Sequence, residues 1–407
     1  MKAVVFTLGC KVNEVESASI MSALSQMGWE VSDKLCAADI YILNTCAVTS
    51  EAEKKSRQLI SRVRKFNSQA AVYVCGCASQ KDSGQFEGRG VEFICGTQNK
   101  LRLVVAAIAS RFGGSCPDSV PYPKQVRTRA FIKIEDGCNN FCSYCVIPYL
   151  RGRVTSRSIE DILKEISQTT APEVVLTGIN ISAYGNDIGS DLVVLMQALS
   201  SCRKRIRLGS LECNVIDERL LLACKSLHEF APQFHLSLQS GSNAVLKAMN
   251  RHYTREQFIA KCMLIYSHFP EASITTDIIV GFPGEEEHDF ADSLSIISVA
   301  RLARVHAFAF SPREGTAAYS MQDIPAPIKS QRLHTLLAEA GKAESKFISE
   351  RIGHTRNVIF EDFDGEFTGG YTPEYIKVYV PGRHSGSSCV KLVSAMRDGA
   401  LGRISEQ

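Results

Sequence analysis

The chain has 407 residues, 45% of them hydrophobic and 22% charged, with a formal net charge of +3. That length exceeds what one hydrophobic core usually fills, so two or three domains are expected. The composition is that of a folded, soluble protein, and so small a charge excess does not demand a polyanionic partner; where the basic residues sit carries that question.

Fifteen cysteines need a cause. Residues 1–10 show no basic segment followed by an apolar run, so no signal peptide is expected, and no apolar stretch reaches the length of a membrane span. The expected setting is cytoplasmic and reducing, where abundant cysteine points to metal or redox chemistry rather than disulfides. Most cysteines are still expected to be small buried hydrophobes, among them Cys36, Cys202, Cys213, Cys224, Cys262 and Cys389, which stand in no ligand-like spacing.

Over the first hundred residues apolar strands alternate with amphipathic helices. Strands are predicted at 3–8, 40–43, 71–74 and 91–94, with Leu59, Ile60, Val63 and Phe66 at helical spacing between the second and third. Ser50 with Glu53 three residues on reads as a capping box opening that helix. Such alternation implies a parallel α/β sheet. Residues 111–124, rich in Gly, Pro and Ser, read as a linker.

A second α/β run follows, with strands predicted at 130–135, 174–177, 206–211, 235–238, 274–280 and 305–310 and crossover helices such as 159–168 and 255–268. Six such units suit an incomplete parallel barrel or a strongly curved open sheet. After Pro325 and Pro327, residues 331–352 read as one long helix. From Asn357 the pattern turns to short alternating strands (NVIFED, IKVYV, CVKLVS) between Gly-rich turns, suiting a small antiparallel β-barrel. The expected division is therefore 1–110, a linker at 111–127, 128–350 and 351–407. There is no internal repeat, and without a P-loop no nucleoside triphosphate chemistry is expected.

The strongest motif is Cys138-Asn139-Asn140-Phe141-Cys142-Ser143-Tyr144-Cys145, directly after a predicted strand. Three thiolates in one loop can converge on an iron–sulfur cluster, and three rather than four leave one iron open. A zinc site with a distant fourth ligand is the alternative. Thr177-Gly178-Ile179-Asn180, Glu212, Gln239-Ser240-Gly241 and Gly281-Phe282-Pro283-Gly284 follow later strands, where ligands of parallel α/β folds bind; each also suits plain turn chemistry. In the first domain three strands also end in cysteine: Cys10, Cys46, and either Cys75 or Cys77, with Cys95 close by. Thiols at the carboxyl ends of neighbouring parallel strands lie along one edge and could form a second three-cysteine set.

The CxxxCxxC spacing, with Tyr144 before its third cysteine, resembles the signature of the radical S-adenosylmethionine (SAM) superfamily. That resemblance implies a [4Fe–4S] cluster on Cys138, Cys142 and Cys145, whose open iron takes the amino and carboxylate groups of SAM. Reductive cleavage then yields a 5′-deoxyadenosyl radical, and Tyr144, Gly178, Asn180, Glu212, Gln239 and Gly281 become the expected cofactor contacts. The segments TLGCKVNEVES, NTCAV and GCASQ, together with KIEDGCNNFCSYCVIPYLRG, LTGIN, SLQSG, TTDIIVGFPGE and FSPREGT, resemble the methylthiotransferase family over essentially the whole chain. The resemblance implies an auxiliary [4Fe–4S] cluster on Cys10, Cys46 and Cys77, leaving Cys75 a buried strand residue and Cys95 structural. It also identifies the C-terminal barrel as a TRAM-like domain.

The implied reaction uses two SAM molecules to place a methylthio group on C2 of an adenosine beside the tRNA anticodon. A sulfur donor and an electron donor are implied partners. Gly9-Cys10-Lys11-Val12-Asn13 and Asn139-Asn140-Phe141 look most like the branch acting on N6-threonylcarbamoyladenosine; isopentenyladenosine or a ribosomal-protein aspartate are the family's other substrates. Three basic groups are candidate RNA contacts: Lys54, Lys55, Arg57, Arg62, Arg64 and Lys65; Arg151, Arg153 and Arg157; and Arg203, Lys204, Arg205 and Arg207. Each could equally be a solvated face. Tyr371, Tyr375 and Tyr379 could stack bases or pack a core. The nine histidines form no HxxxH pattern and are expected to be surface or packing residues.

Overall fold

The computed structural model describes residues 1–117, 122–123 and 128–405. The N-terminal sheet has five parallel strands, β1 (Lys2–Thr7), β2 (Glu30–Ser32), β3 (Ile40–Thr45), β4 (Ala71–Gly76) and β5 (Phe93–Ile94), in the order β2-β1-β3-β4-β5. Helices α1 (Lys11–Gln26), α2 (Ser50–Arg64), α3 (Cys77–Lys81) and α4 (Lys100–Phe112) connect them. The residues of β3 and β4 are all buried, because apolar clusters cover both faces of the sheet. The cap of α2 is Thr49, whose hydroxyl accepts from the Ala52 amide, not the expected Ser50. Of the expected linker, residues 111–112 close α4, while 118–121 and 124–127 lie outside the described residues.

The second unit holds the six expected parallel strands in a curved wall. These are β6 (Arg129–Lys133), β9 (Glu173–Thr177), the interrupted strand β10 (Arg205–Leu208) and β11 (Ser210–Leu211), β13 (Gln233–Leu236), β14 (Ser273–Val280) and β15 (Arg304–Ala309). Gly209 breaks the third strand: its amide donates to Leu176 O, and a Cβ there would come 2.8 Å from that oxygen. The wall therefore divides into two four-stranded sheets, with β12 (Glu229–Phe230) edging the first, and β6 and β15 end it unpaired with each other. A short hairpin, β7 (Glu135–Asp136) with β8 (Thr155–Ser156), and helix α5 (Ile147–Arg151) frame the cysteine loop. Outside the wall lie α6 (Ile159–Gln168), α7 (Leu192–Ala198), α8 (Glu218–Lys225), α9 (Asn243–Ala248), α10 (Arg255–His268), α11 (Glu287–Val299) and α12 (Ala326–Ser349). Period-two alternation turns Ala130, Val174, Ile206, Phe234, Ile274 and Val305 onto those helices, so the residues between them face the barrel lumen. Helix α12 begins five residues before its expected start, because Pro325 precedes it as the cap and Pro327 stands within the first turn, where no amide donor is needed.

The C-terminal strands β16 (Thr355–Phe363), β17 (Phe367–Tyr371), β18 (Lys377–Pro381), β19 (Ser387–Met396) and β20 (Gly399–Ile404) close into a barrel in the order β16-β17-β18-β20-β19. It docks on the open bottom of the second unit. Tyr371 and Tyr375 stack 4.6 Å apart, with the Arg129 guanidinium 4.8 and 5.1 Å from their centroids and Arg207 4.8 Å from Tyr375. These two tyrosines are therefore packing residues, not free RNA platforms. Tyr379 is buried, its hydroxyl donating to Asp398, whereas Tyr371 and Tyr375 are half-buried. Among the described residues no helix is long and apolar enough to cross a membrane.

Candidate active site

Each cysteine set is built on glycine. Gly9, Gly76 and Gly137 stand immediately before Cys10, Cys77 and Cys138, at φ of +103°, +106° and +86°. A Cβ on Gly9 would come 2.7 Å from both Cβ and Sγ of Cys46; one on Gly76 would strike Thr45 O at 2.5 Å, and one on Gly137 Arg153 O at 2.1 Å. Only glycine lets the chain turn at these strand ends and bring the cysteine loops together.

The thiols of Cys10, Cys46 and Cys77 interact electrostatically with one another, and so do those of Cys138, Cys142 and Cys145. Burial pushes the Cys46 thiol up to about 11 and that of Cys145 to about 12, and raises Cys77 and Cys138 as well. Such thiols are poor free nucleophiles, but a bound metal centre would deprotonate them. Cys75 stands apart: it is fully buried and hydrogen-bonded to Cys95, with its own side chain in the core under the sheet. Among the described residues no three His, Cys, Asp or Glu side chains converge as ligands of a single ion. A cubane makes a different demand, since its thiolates bind separate irons, and two glycine-turned thiol triads with no competing disulfide suit it.

Around the loop 138–145 the wall supplies donors to sulfur. Arg251, which sequence reasoning missed, donates from Nη1 to Cys142 Sγ at 3.3 Å and from Nη2 to Glu212 Oε2 at 2.8 Å. Glu212 also accepts from Asn140 Nδ2, and Asn180 Nδ2 lies 3.8 Å from Cys138 Sγ. Asn250 holds the loop backbone by donating to the carbonyls of Asn140 and Phe141, the latter at φ +47°. Gly178 is required by Glu135, a second residue missed: a Cβ would sit 2.7 Å from its Oε2, which accepts from the Asn180 amide at 2.7 Å. Gln239 (φ +76°) is tied to β14 through its backbone, and Tyr144 packs against the cluster around Phe282 and Phe310. Gly281 donates its amide to Glu285 beneath Lys329, an arrangement that forms a turn. Thus Asn180, Gly178, Glu212 and Tyr144 gather about the cysteine loop, while Gly281 serves a neighbouring turn.

A buried ion network joins the two cysteine sets. Arg151 donates from Nη1 to Asp136 (2.9 Å) and Glu16 (3.1 Å) and from Nη2 to Asn13 (2.7 Å), and it interacts with the Cys77 thiol. Lys100 and Lys133 also bind Glu16, at 2.5 and 3.1 Å. Arg313, from the second unit, donates to the carbonyls of Ala47 and Val48 beside Cys46.

Residues 2–96 match the family model described as Uncharacterized protein family UPF0004, and residues 132–297 match that of the radical SAM superfamily. The threonylcarbamoyladenosine tRNA methylthiotransferase MtaB of Chlamydia pneumoniae is 37% identical over 382 residues, covering 92% of this chain and 90% of that protein. The chain belongs to the radical SAM methylthiotransferase family. Another relative, the tRNA-2-methylthio-N(6)-dimethylallyladenosine synthase of Fervidobacterium nodosum, is 35% identical over 381 residues, covering 89% of this chain and 88% of its own. The radical S-adenosylmethionine methyltransferase TsrM from Kitasatospora setae shares the fold at a TM-score of 0.59 and 12% identity, over 84% of this chain and 89% of that one. A radical SAM methylthiotransferase is an enzyme that works with SAM and [4Fe–4S] clusters.

For this methylthiotransferase the structure narrows the expected basic surfaces. Arg151, Arg205 and Arg207 are buried; Arg205 pairs with Glu229, Arg207 with Glu173, and Arg157 with Asp161 and Glu165. Lys54, Lys55, Arg62 and Lys65 remain exposed along α2, and Arg153 and Arg203 are exposed as well. Among the cysteines expected to be buried, Cys213, Cys224 and Cys262 are so; Cys36 and Cys202 are half-buried and Cys389 is exposed. His235 and His306, expected at the surface or in packing, stand side by side on the lumen wall with ring centroids 5.8 Å apart.

Proposed function

We propose that this enzyme places a methylthio group on C2 of N6-threonylcarbamoyladenosine next to the tRNA anticodon, using two SAM molecules and two [4Fe–4S] clusters. Cys138, Cys142 and Cys145 would hold the radical cluster, and Cys10, Cys46 and Cys77 the auxiliary one. The observation that carries the reading is the pair of glycine-turned thiol triads at the strand ends of two units locked together by Arg151 and Arg313. When bound, the clusters and SAM supply the radical cleavage chemistry and the sulfur that replaces the C2 hydrogen.

The chain's own residues position and insulate. Arg251 and Asn180 would donate to cluster thiolates, favouring their charged form. Glu212, held by Arg251, and the Gly178–Asn180 turn would border SAM together with Tyr144, Gln239 and Gly281. Residues 1–110, 128–350 and 351–407 would act as auxiliary-cluster, radical and TRAM-like domains joined by 111–127. Exposed Lys54, Lys55, Arg62 and Lys65 on α2, the helix after Cys46, are suited to anticodon-stem phosphates. A sulfur donor and an electron donor complete the requirement, and a tRNA substrate fits a cytoplasmic setting.

Nucleoside mass spectrometry of tRNA from cells lacking the protein tests this. Methylthio-threonylcarbamoyladenosine should vanish and return on re-expression. Loss of the dimethylallyl form instead would reassign the substrate, and an unchanged nucleoside profile would refute tRNA as the target.

A further inference from the structure

The lumen between the two cysteine sets is walled by aromatic rings. Phe131 on β6 and Phe308 on β15 sit at the two open edges of the wall, and Phe308 is 48% exposed. His235 and His306 lie between them. His235 is committed, its Nδ1 2.9 Å from Thr275 Oγ1 and its Nε2 3.3 Å from Asp277 Oδ2, whereas His306 makes no hydrogen bond among the described residues. These rings offer flat faces on which a heterocycle could stack.

Lys11, the residue after Cys10, reaches toward them. Its ammonium stands 5.8 Å from the centre of the Phe131 ring and within electrostatic reach of His306, Arg129, Arg207 and Glu173. Those other lumen charges are already matched. Arg129 pairs with Glu361, Arg207 with Glu173, and Lys133 with Glu16 and Asp136. Lys11 makes no hydrogen bond or ion pair among the described residues; Glu14 and Glu173, the carboxylates that influence it, form none with it. Its side chain is also solvent-accessible. An unmatched cation beside these aromatic rings calls for an anionic group on the ligand, since covering it with an apolar group would leave the charge unpaired.

We propose that Lys11 is a specificity-determining residue that binds the carboxylate of the threonylcarbamoyl group while the adenine lies between the aromatic walls. This rests on the substrate reading above and deepens it: the acid would be selected over an uncharged alkyl substituent at N6. A hydrogen-bonding site rejects the analogue lacking its partner far more strongly than an apolar pocket rejects a mismatch.

The test uses the full reconstituted chain and its variants K11Q and K11R with three anticodon stem-loops, bearing threonylcarbamoyladenosine, its methyl ester, or isopentenyladenosine. Product is quantified by nucleoside mass spectrometry and loop binding by fluorescence anisotropy. K11Q should lower kcat/KM on the acid loop by roughly 10- to 100-fold and weaken its binding, change the ester loop by less than about threefold, and K11R should keep most of the acid preference. Acid and ester loops are compared on one preparation, so an equal fall on both assigns Lys11 to the neighbouring cysteine site and overturns the proposal, as does an unchanged K11Q. Wild-type enzyme acting on the isopentenyl loop but not the acid loop would instead sink the substrate reading, and the role of Lys11 with it.

Discussion

Replacing Glu135 by Gln should make the protein more stable at high pH and nearly neutral in effect at low pH. Glu135 is 1% exposed, and one carboxyl oxygen, Oε1, has no hydrogen-bond partner. Burial pushes its pKa up from 4.5 to about 8, against the amide hydrogen bonds from Asn180 and Ile179, and neighbouring Asp136 adds to the rise. With the folded pKa raised, the folded state holds a proton that the unfolded chain has released between pH 4.5 and about 8. Stability therefore falls as pH rises through that window and levels off above it. At about 1.4 kcal/mol per pH unit, the part of the window between pH 5.5 and 8.5 costs wild type about 3 kcal/mol. Gln keeps the acceptor for the Asn180 amide and carries no charge to desolvate. Scanning calorimetry of anaerobic, cluster-loaded protein should show E135Q gaining about 6–12 °C on wild type between pH 5.5 and 8.5, for a cooperative unit of about 200 residues. The same difference between the two proteins at both pH values would mean the carboxyl is ionised throughout, and the reasoning fails.

Alanine at Cys138, Cys142 or Cys145 should abolish formation of 5′-deoxyadenosine from SAM, whereas alanine at Cys10, Cys46 or Cys77 should leave it measurable and stop methylthio transfer. Cys77→Ser should lower iron per chain by about half while Cys75→Ser leaves it unchanged; the reverse result would exchange the two assignments. Arg129→Leu removes the ion pair with Glu361 and the stacking on Tyr371 and Tyr375, leaving a largely buried carboxylate. It should weaken docking of the C-terminal barrel by about 2–4 kcal/mol, read as faster amide exchange in β16 and β17, and unchanged exchange would refute the clamp.

Much of this architecture was legible because parallel strands buried on both faces read as continuous apolar runs, as in residues 40–43 and 71–74. The cysteine sets were legible because ligands in short loops keep local spacing, and a Gly-Cys pair at a strand end is visible without a structure. Exposure is not local. Arg205 and Arg207 read as a basic patch, yet they sit on lumen-facing positions of β10, Arg205 directly opposite Glu173 on β9 and Arg207 pairing with it diagonally, an arrangement fixed only by strand register. Tyr371 and Tyr375 read as surface aromatics because nothing in their own segment announces Arg129, which lies in the preceding domain and 246 residues before Tyr375. Only three of the five C-terminal strands were expected, since FTGGY and GALGRI carry too much glycine to alternate. His235 and His306 belong to strands separated by β14, and only curvature of the wall sets their rings together.

The buried network around Arg151 ties domain docking to the charge of the second cysteine set. Arg151, Lys100 and Lys133 bring three positive charges against the two carboxylates of Glu16 and Asp136, so among these residues one cation is in excess. In a buried setting such an excess favours a nearby anion, and the groups that feel it are sulfur: Arg151 and Lys100 both act on Cys77 to favour its thiolate, against the burial that raises it. The carboxylates come from opposite sides of the junction, Glu16 from α1 and Asp136 from β7. Arg151 bonds both, and its Nε remains without a partner. Pulling the units apart would strip the guanidinium from one carboxylate and from Cys77 together, so the separation of the two cysteine sets and the electrostatic readiness of one of them are set by the same side chain.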